Sequence, residues 1–140
     1  MRYYLDAAPI IYLVEQRQPF ATAVRSKLAA QGIIPITSEL ARLECRVKPM
    51  HDGNMTLLQD FNDYFANTIV EIVPLTRDVV DRATEIRAQF NFKTPDSLHL
   101  AAAVIAVSRP WDKIYRCRKT RQRIKPPRVS NPASISSRKS

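Results

Sequence analysis

The sequence predicts an α/β domain, a mostly parallel sheet flanked by helices, and two observations carry that expectation. Short apolar runs of β-favouring character alternate along residues 1–106 with longer stretches of helical apolar spacing, and strands separated by helices pair in parallel through right-handed crossovers. The chain has 140 residues and a hydrophobic fraction of 45%, enough for one domain with its own core.

The first strand is the stretch Arg2-Tyr3-Tyr4-Leu5-Asp6-Ala7-Ala8, a short apolar run that stops on the carboxylate of Asp6 and turns at once into a helix. Tyr3, Tyr4 and Leu5 suit a buried strand, whereas residues 8–15 space Ile10, Ile11, Leu13 and Val14 as a short helix does. Pro19 opens a second helix through residue 30, and Gly32 is placed to end it. Residues 33–37 form the second strand, in which Pro35 points to an edge or irregular position. Ser38 caps the next helix, 39–47, on which Leu40, Leu43 and Val47 mark one buried stripe. Pro49 and Gly53 break the chain over residues 48–54.

An amphipathic helix follows over residues 55–67 with Met55, Leu57, Leu58, Phe61, Tyr64 and Phe65 as its apolar residues. Residues 69–75 read as the clearest strand after the first, and Thr76 caps a helix with the stripe Val79, Val80, Ala83, Ile86 and Phe90. Thr94-Pro95-Asp96 starts the last helix, with Thr94 as N-cap, Pro95 in the first position and Asp96 in the first turn. The Ala-rich run 98–106 calls for close packing on the sheet or another helix.

The net charge of +9 suggests nucleic acid until it is divided along the chain. Residues 1–108 carry 11 Lys and Arg against 12 Asp and Glu, a net of −1, while residues 109–140 carry 11 against 1, a net of +10. The domain itself is near neutral, so total charge says little about its working face. No run approaches the roughly eighteen apolar residues of a membrane span and the start lacks signal-peptide anatomy, so a soluble cytoplasmic protein without membrane contact is expected. Cys45 and Cys117 lie far apart without metal-ligand spacing, which disfavours structural zinc, and a cytosolic compartment disfavours a disulfide. Two glycines in the whole chain disfavour a dinucleotide or phosphate-loop site.

The candidate chemistry lies in carboxylates. Asp6 sits at the carboxyl end of a strand, where open α/β sheets place ligands, although alone it reads as a helix cap. Glu44 flanks the stripe of its helix and alone reads as a solvated glutamate, and His99, three residues after Asp96, reads as a local hydrogen-bonding partner. A parallel sheet collects strand ends and the following helix starts on one rim, which is where Asp6, Glu44 and Asp96 fall. Two carboxylates about 4 Å apart repel by roughly 4 kcal/mol at an effective dielectric near 20, so a converging cluster takes up a cation, a proton, or an Arg or Lys. All-oxygen ligands favour Mg²⁺ or Mn²⁺.

Asp6 after a short hydrophobic strand, Ser38 with Glu44 six residues on, and Thr94-Pro95-Asp96-Ser97-Leu98-His99-Leu100-Ala101-Ala102-Ala103 together resemble the PIN-domain ribonucleases, most closely the VapC-type toxins of bacterial toxin–antitoxin pairs. The resemblance covers residues 1–106. It implies a PIN-like, flavodoxin-like sandwich and a Mg²⁺- or Mn²⁺-dependent endoribonuclease with Asp6, Glu44 and Asp96 as catalytic metal ligands. It further implies a homodimer and a cognate VapB-like antitoxin whose C-terminal segment covers the active groove. Arg42 and Arg46, on the helix of Glu44, read as solvated arginines or RNA-backbone contacts, and no RNA-binding residue is assigned.

The end of the chain departs from that pattern. PIN domains continue into a last strand with a Thr-x-Asp-like ending that supplies a fourth acid, whereas residues 107–115 form no clean apolar strand. Asp112, 16 residues after Asp96, is not assigned as a ligand. The expected organisation is a domain over residues 1–115 with an atypical final strand, then a basic tail, 116–140, too polar to order itself. The tail reads as an RNA-gripping arm, as a solvated extension, or as out-of-frame residues after a frame shift near Ala106. The rival functional reading is a catalytically impaired PIN-like module that binds antitoxin or RNA.

Overall fold

The structure, a computed structural model, describes residues 1–108. The 116–140 tail, the atypical final strand of the 1–115 domain, Asp112 and Cys117 lie outside the described residues. Strand β1 (Arg2–Tyr4) leads to α1 (Ala7–Val14) and α2 (Phe20–Leu28), and β2 (Ile34–Ser38) to α3 (Glu39–His51) and α4 (Met55–Asn67). Strand β3 (Glu71–Val73) is followed by α5 (Arg77–Phe90) and α6 (Thr94–Val107). The strands pair in the order β1-β2-β3, all parallel, with Tyr4 opposite Ile36 and Ile36 opposite Glu71.

Strand pleating sends alternate side chains to opposite faces, and each face has its own helix layer. On one face Tyr4, Ile36 and Val73 meet Val79, Ala83 and Ile86 of α5 and Ala101, Ala102 and Ala106 of α6. On the other, Tyr3, Leu5 and Ile72 meet Ile10 of α1, Ala41 and Cys45 of α3, and Phe61 and Phe65 of α4. Ala101, Ala102 and Ala106 of α6 are fully buried, which brings this helix close to the sheet, and the buried Arg2 donates from its guanidinium to the Ala106 carbonyl. Among the described residues no helix is long and apolar enough to cross a membrane.

Local expectations are corrected in four elements. Strand β2 lies centrally in the described sheet, between β1 and β3. Pro35 is tolerated there because pairing with β3 begins one residue later at Ile36, while the Pro35 carbonyl still accepts from the Val70 N–H at 2.9 Å. Helix α3 runs through Pro49 to His51 and buries Ala41, Cys45 and Pro49, while Leu43 and Val47 stay 59% and 57% exposed. Small residues at a spacing of four let α3 approach its neighbours, so its narrow side is buried. On α5 only Val79, Ala83 and Ile86 are buried, and Val80 and Phe90 face solvent. Helix α6 starts at Thr94 with Lys93 in the cap position, and Thr94 Oγ1 instead accepts from Arg87 at 2.9 Å.

Ser38 and Thr76 do cap their helices, accepting from the N–H groups of Ala41 and Val79. Within the α4 layer the Tyr64 hydroxyl is buried without a hydrogen-bond partner among the described residues, and burial pushes its pKa up to about 12. A buried donor left unpaired costs free energy that a phenyl ring avoids. Tyr64→Phe is expected to raise stability by about 1 kcal/mol, read from the midpoint of denaturant unfolding at unchanged slope; a fall would mean that the hydroxyl finds a partner in solution.

Candidate active site

Asp6 occupies the N-cap position of α1 with extended backbone, yet its side chain makes no capping hydrogen bond. The carboxylate is exposed and spare. Its place is fixed from behind, because Leu5 is bonded twice to β2: its N–H donates to the Ile36 carbonyl at 2.8 Å and its carbonyl accepts from Thr37 Oγ1 at 2.5 Å. Asp96 is presented by the first turn of α6, where the helix dipole favours an acid. Both aspartates line one open cleft of about 440 Å³, together with Tyr4, Pro9, His99 and Leu100.

Glu44 is not among the residues that line this cleft. From α3 it reaches α6, where its Oε2 lies 2.8 Å from His99 Nε2. A carboxylate only accepts, so the ring nitrogen carries the hydrogen of this bond. The other ring nitrogen, Nδ1, is 2.9 Å from the Tyr4 hydroxyl, which lies 2.7 Å from Ser38 Oγ. Glu44, His99, Tyr4 and Ser38 thus form one hydrogen-bonded line through α3, α6, β1 and β2. The histidine therefore serves distant partners, and the hydrogen bonds of its ring run to Glu44 and Tyr4. Only the shared face of Asp96 and His99 had a sequence signal, their separation of three; the Tyr4 and Ser38 contacts had none.

The three predicted acids are brought to one region in two groups. Asp6 and Asp96 share the cleft, and Glu44 is attached to its His99 wall. Among the described residues no group of three His, Cys, Asp or Glu side chains is gathered closely enough to hold a metal ion. Glu44 and Asp6 nevertheless act on common neighbours. Burial pushes the Tyr4 hydroxyl up to about 12, opposed by its hydrogen bond with Ser38 and reinforced by the charges of Asp6 and Glu44. The Cys45 thiol is pushed up to about 12 by burial, then by Glu44 and Asp6. Cys45 is buried and its Sγ lies 3.7 Å from the Ala7 carbonyl, the setting of an inert core thiol.

On the far side of α3, Arg42 pairs with Glu39 at 3.3 Å, and Arg42 and Arg46 line a second cleft of about 480 Å³ against α4 and Ile72. These arginines therefore do not reach into the cleft of Asp6 and Asp96.

Three outcomes follow from this geometry. Tyr4→Phe removes a hydroxyl shared by the buried Ser38 and the half-buried His99, and is expected to cost about 1–2 kcal/mol in denaturant unfolding; an unchanged midpoint would mean that the line contributes nothing to stability. Tyr4, Cys45 and Tyr64 all ionise later in the folded chain than in the unfolded one, about 12 against 10.0, 9.0 and 10.0. Well below pH 9 all three are neutral in both states, and as pH rises through 9 the unfolded state loses protons first, so stability is expected to fall toward pH 12. Thermal unfolding across that range checks it, and mass mapping should find Cys45 unmodified by iodoacetamide at pH 8 while the chain stays folded.

The family model described as PIN domain matches residues 3–107. No curated protein and no solved structure matches the chain. A parallel sheet held between two helix layers is the PIN-like α/β fold, and with most of its length covered by that model the chain belongs to the PIN-domain family, whose members are generally metal-dependent nucleases.

Proposed function

We propose that the chain is an endoribonuclease of the VapC toxin type, hydrolysing RNA phosphodiester bonds, with Asp6, Glu44 and Asp96 as the residues that hold Mg²⁺ or Mn²⁺. The observation that carries this reading is the pair of carboxylates, Asp6 and Asp96, supplied by a strand end and a helix start and facing one cleft. The donor set fits the ion: Asp6 has no capping bond to give up, the ligand atoms are hard carboxylate oxygens, and a hydrated Mg²⁺ needs only one or two protein carboxylates beside water and phosphate. His99 is already spent on Glu44 and Cys45 is buried, so the ligands that zinc prefers are not offered.

When bound, the ion supplies a Lewis acid for the scissile phosphate and lowers the pKa of a water nucleophile. The chain's own part is positional. Asp6 is held by the doubly bonded Leu5, and Asp96 by the first turn of a helix packed on the sheet. Glu44 is held at the edge by His99. The cleft is open, as a polymer substrate requires, and Pro9 and Leu100 give it an apolar floor against which a ribose or base can lie.

The partner reading is a homodimer whose groove a cognate VapB-like antitoxin covers. Its support is a pair of exposed apolar stripes, Leu43, Val47 and Met50 on α3 and Leu100, Val104 and Val107 on α6, beside the Glu44–His99 contact. Both repeat at i, i+4, i+7, and such surface usually meets another protein.

A second reading, a PIN-like module without catalysis that binds antitoxin or RNA, is favoured by one feature, the engagement of Glu44 by His99 in place of a gathered three-acid cluster. One experiment separates the two. RNA cleavage by the full chain is expected to require Mg²⁺ or Mn²⁺, to stop with chelator, and to fall to background in Asp96→Asn at unchanged circular dichroism. Cleavage that survives in that variant removes the assigned site, and absence of cleavage with intact RNA binding moves the chain to the second reading.

A further inference from the structure

We propose that His99 is a positioning residue, a brace that fixes the Glu44 carboxylate beside the cleft of Asp6 and Asp96. The proposal rests on the nuclease reading above and assigns that site a side chain outside its carboxylate set. Glu44 stands on α3 and Asp96 on α6, so no shared element sets their separation. A glutamate side chain has several rotatable bonds, and this one keeps 31% exposure. Left alone, such a side chain samples several orientations, and ordering it costs conformational entropy.

The 2.8 Å bond from His99 removes that freedom. The ring is itself held at both ends, since Nδ1 lies 2.9 Å from the Tyr4 hydroxyl and the His99 side chain keeps only 13% exposure. Tyr4 stands on β1 and its hydroxyl lies 2.7 Å from Ser38 Oγ, a buried atom that also accepts from the Ala41 N–H. Turning the imidazole would break bonds on both sides, so the line transmits the rigidity of the sheet to α3. The bond engages Oε2, and among the described residues no hydrogen bond engages Oε1. A carboxylate oriented through one oxygen keeps the other for a cation. Hydrogen bonds that orient a metal-ligating side chain are commonly worth roughly 10- to 100-fold in metal affinity.

The test is a Mn²⁺ titration of the full chain followed by electron paramagnetic resonance of the free ion, with circular dichroism confirming the fold at the assay temperature. His99→Ala is expected to weaken Mn²⁺ binding by roughly 10- to 100-fold, and His99→Gln, which keeps an N–H able to reach Glu44, to recover most of it. In a Glu44→Ala background His99→Ala is expected to add nothing further. If His99→Ala does not fold, Tyr4→Phe, which frees the ring at Nδ1, is expected to weaken binding in the same direction. Equal affinity of His99→Ala and the parent chain, an undiminished loss in the Glu44→Ala background, or no recovery by His99→Gln would each overturn the brace alone. A parent chain that binds no Mn²⁺ would overturn the nuclease reading, and the brace with it.

Discussion

Parallel strands place all their carboxyl ends on one rim, and the working part of this molecule depends on that constraint. Strand β2 passes into α3 with no residue between Ser38 and Glu39, so the last residue of the strand is also the cap of the helix. Strand β1 releases the chain only after Leu5 has been bonded on both backbone groups, so Asp6 leaves the sheet at a fixed point and in a fixed direction. Helix α6 packs on β1 and β2, and its first turn brings Asp96 to the same cleft. Asp6 and Asp96 are thus located by the backbone that carries them, whereas the Glu44 carboxylate is located by its bond with His99.

Collecting acids on a rim costs energy, and the structure limits that cost in two ways. Asp6 and Asp96 are exposed, so water and salt screen them. Glu44 is the more enclosed of the three, and it has a hydrogen-bond donor in His99. Tyr4 is the junction between these solutions and the hydrophobic layer. Its ring packs with the α5–α6 core, while its hydroxyl joins Ser38 to His99 in the field of two carboxylates.

The helix surfaces follow the same logic of close approach. Helices α3 and α6 bury alanine, serine and cysteine, and leave larger residues such as Leu43, Val47, Leu100 and Val104 facing outward. Helix α3 meets α6 where Glu44 reaches His99.

Composition and local chemistry were enough to determine the element types, the parallel α/β class, the caps at Ser38 and Thr76, and the placement of Asp6 and Asp96 at a strand end and a helix start. Each of these depends on neighbours within a few residues. The buried side of α3 was misread because Leu43 and Val47 satisfy helical periodicity as well as Ala41 and Cys45 do, and only the distance to the packed neighbour selects between them. Pro35 was misread because its cost depends on where β3 begins to pair. The roles of His99 and Tyr4 belong to tertiary structure alone: their bonds join residues 34, 55 and 95 positions apart, and no local pattern encodes a meeting that the packing of two helices against one sheet creates.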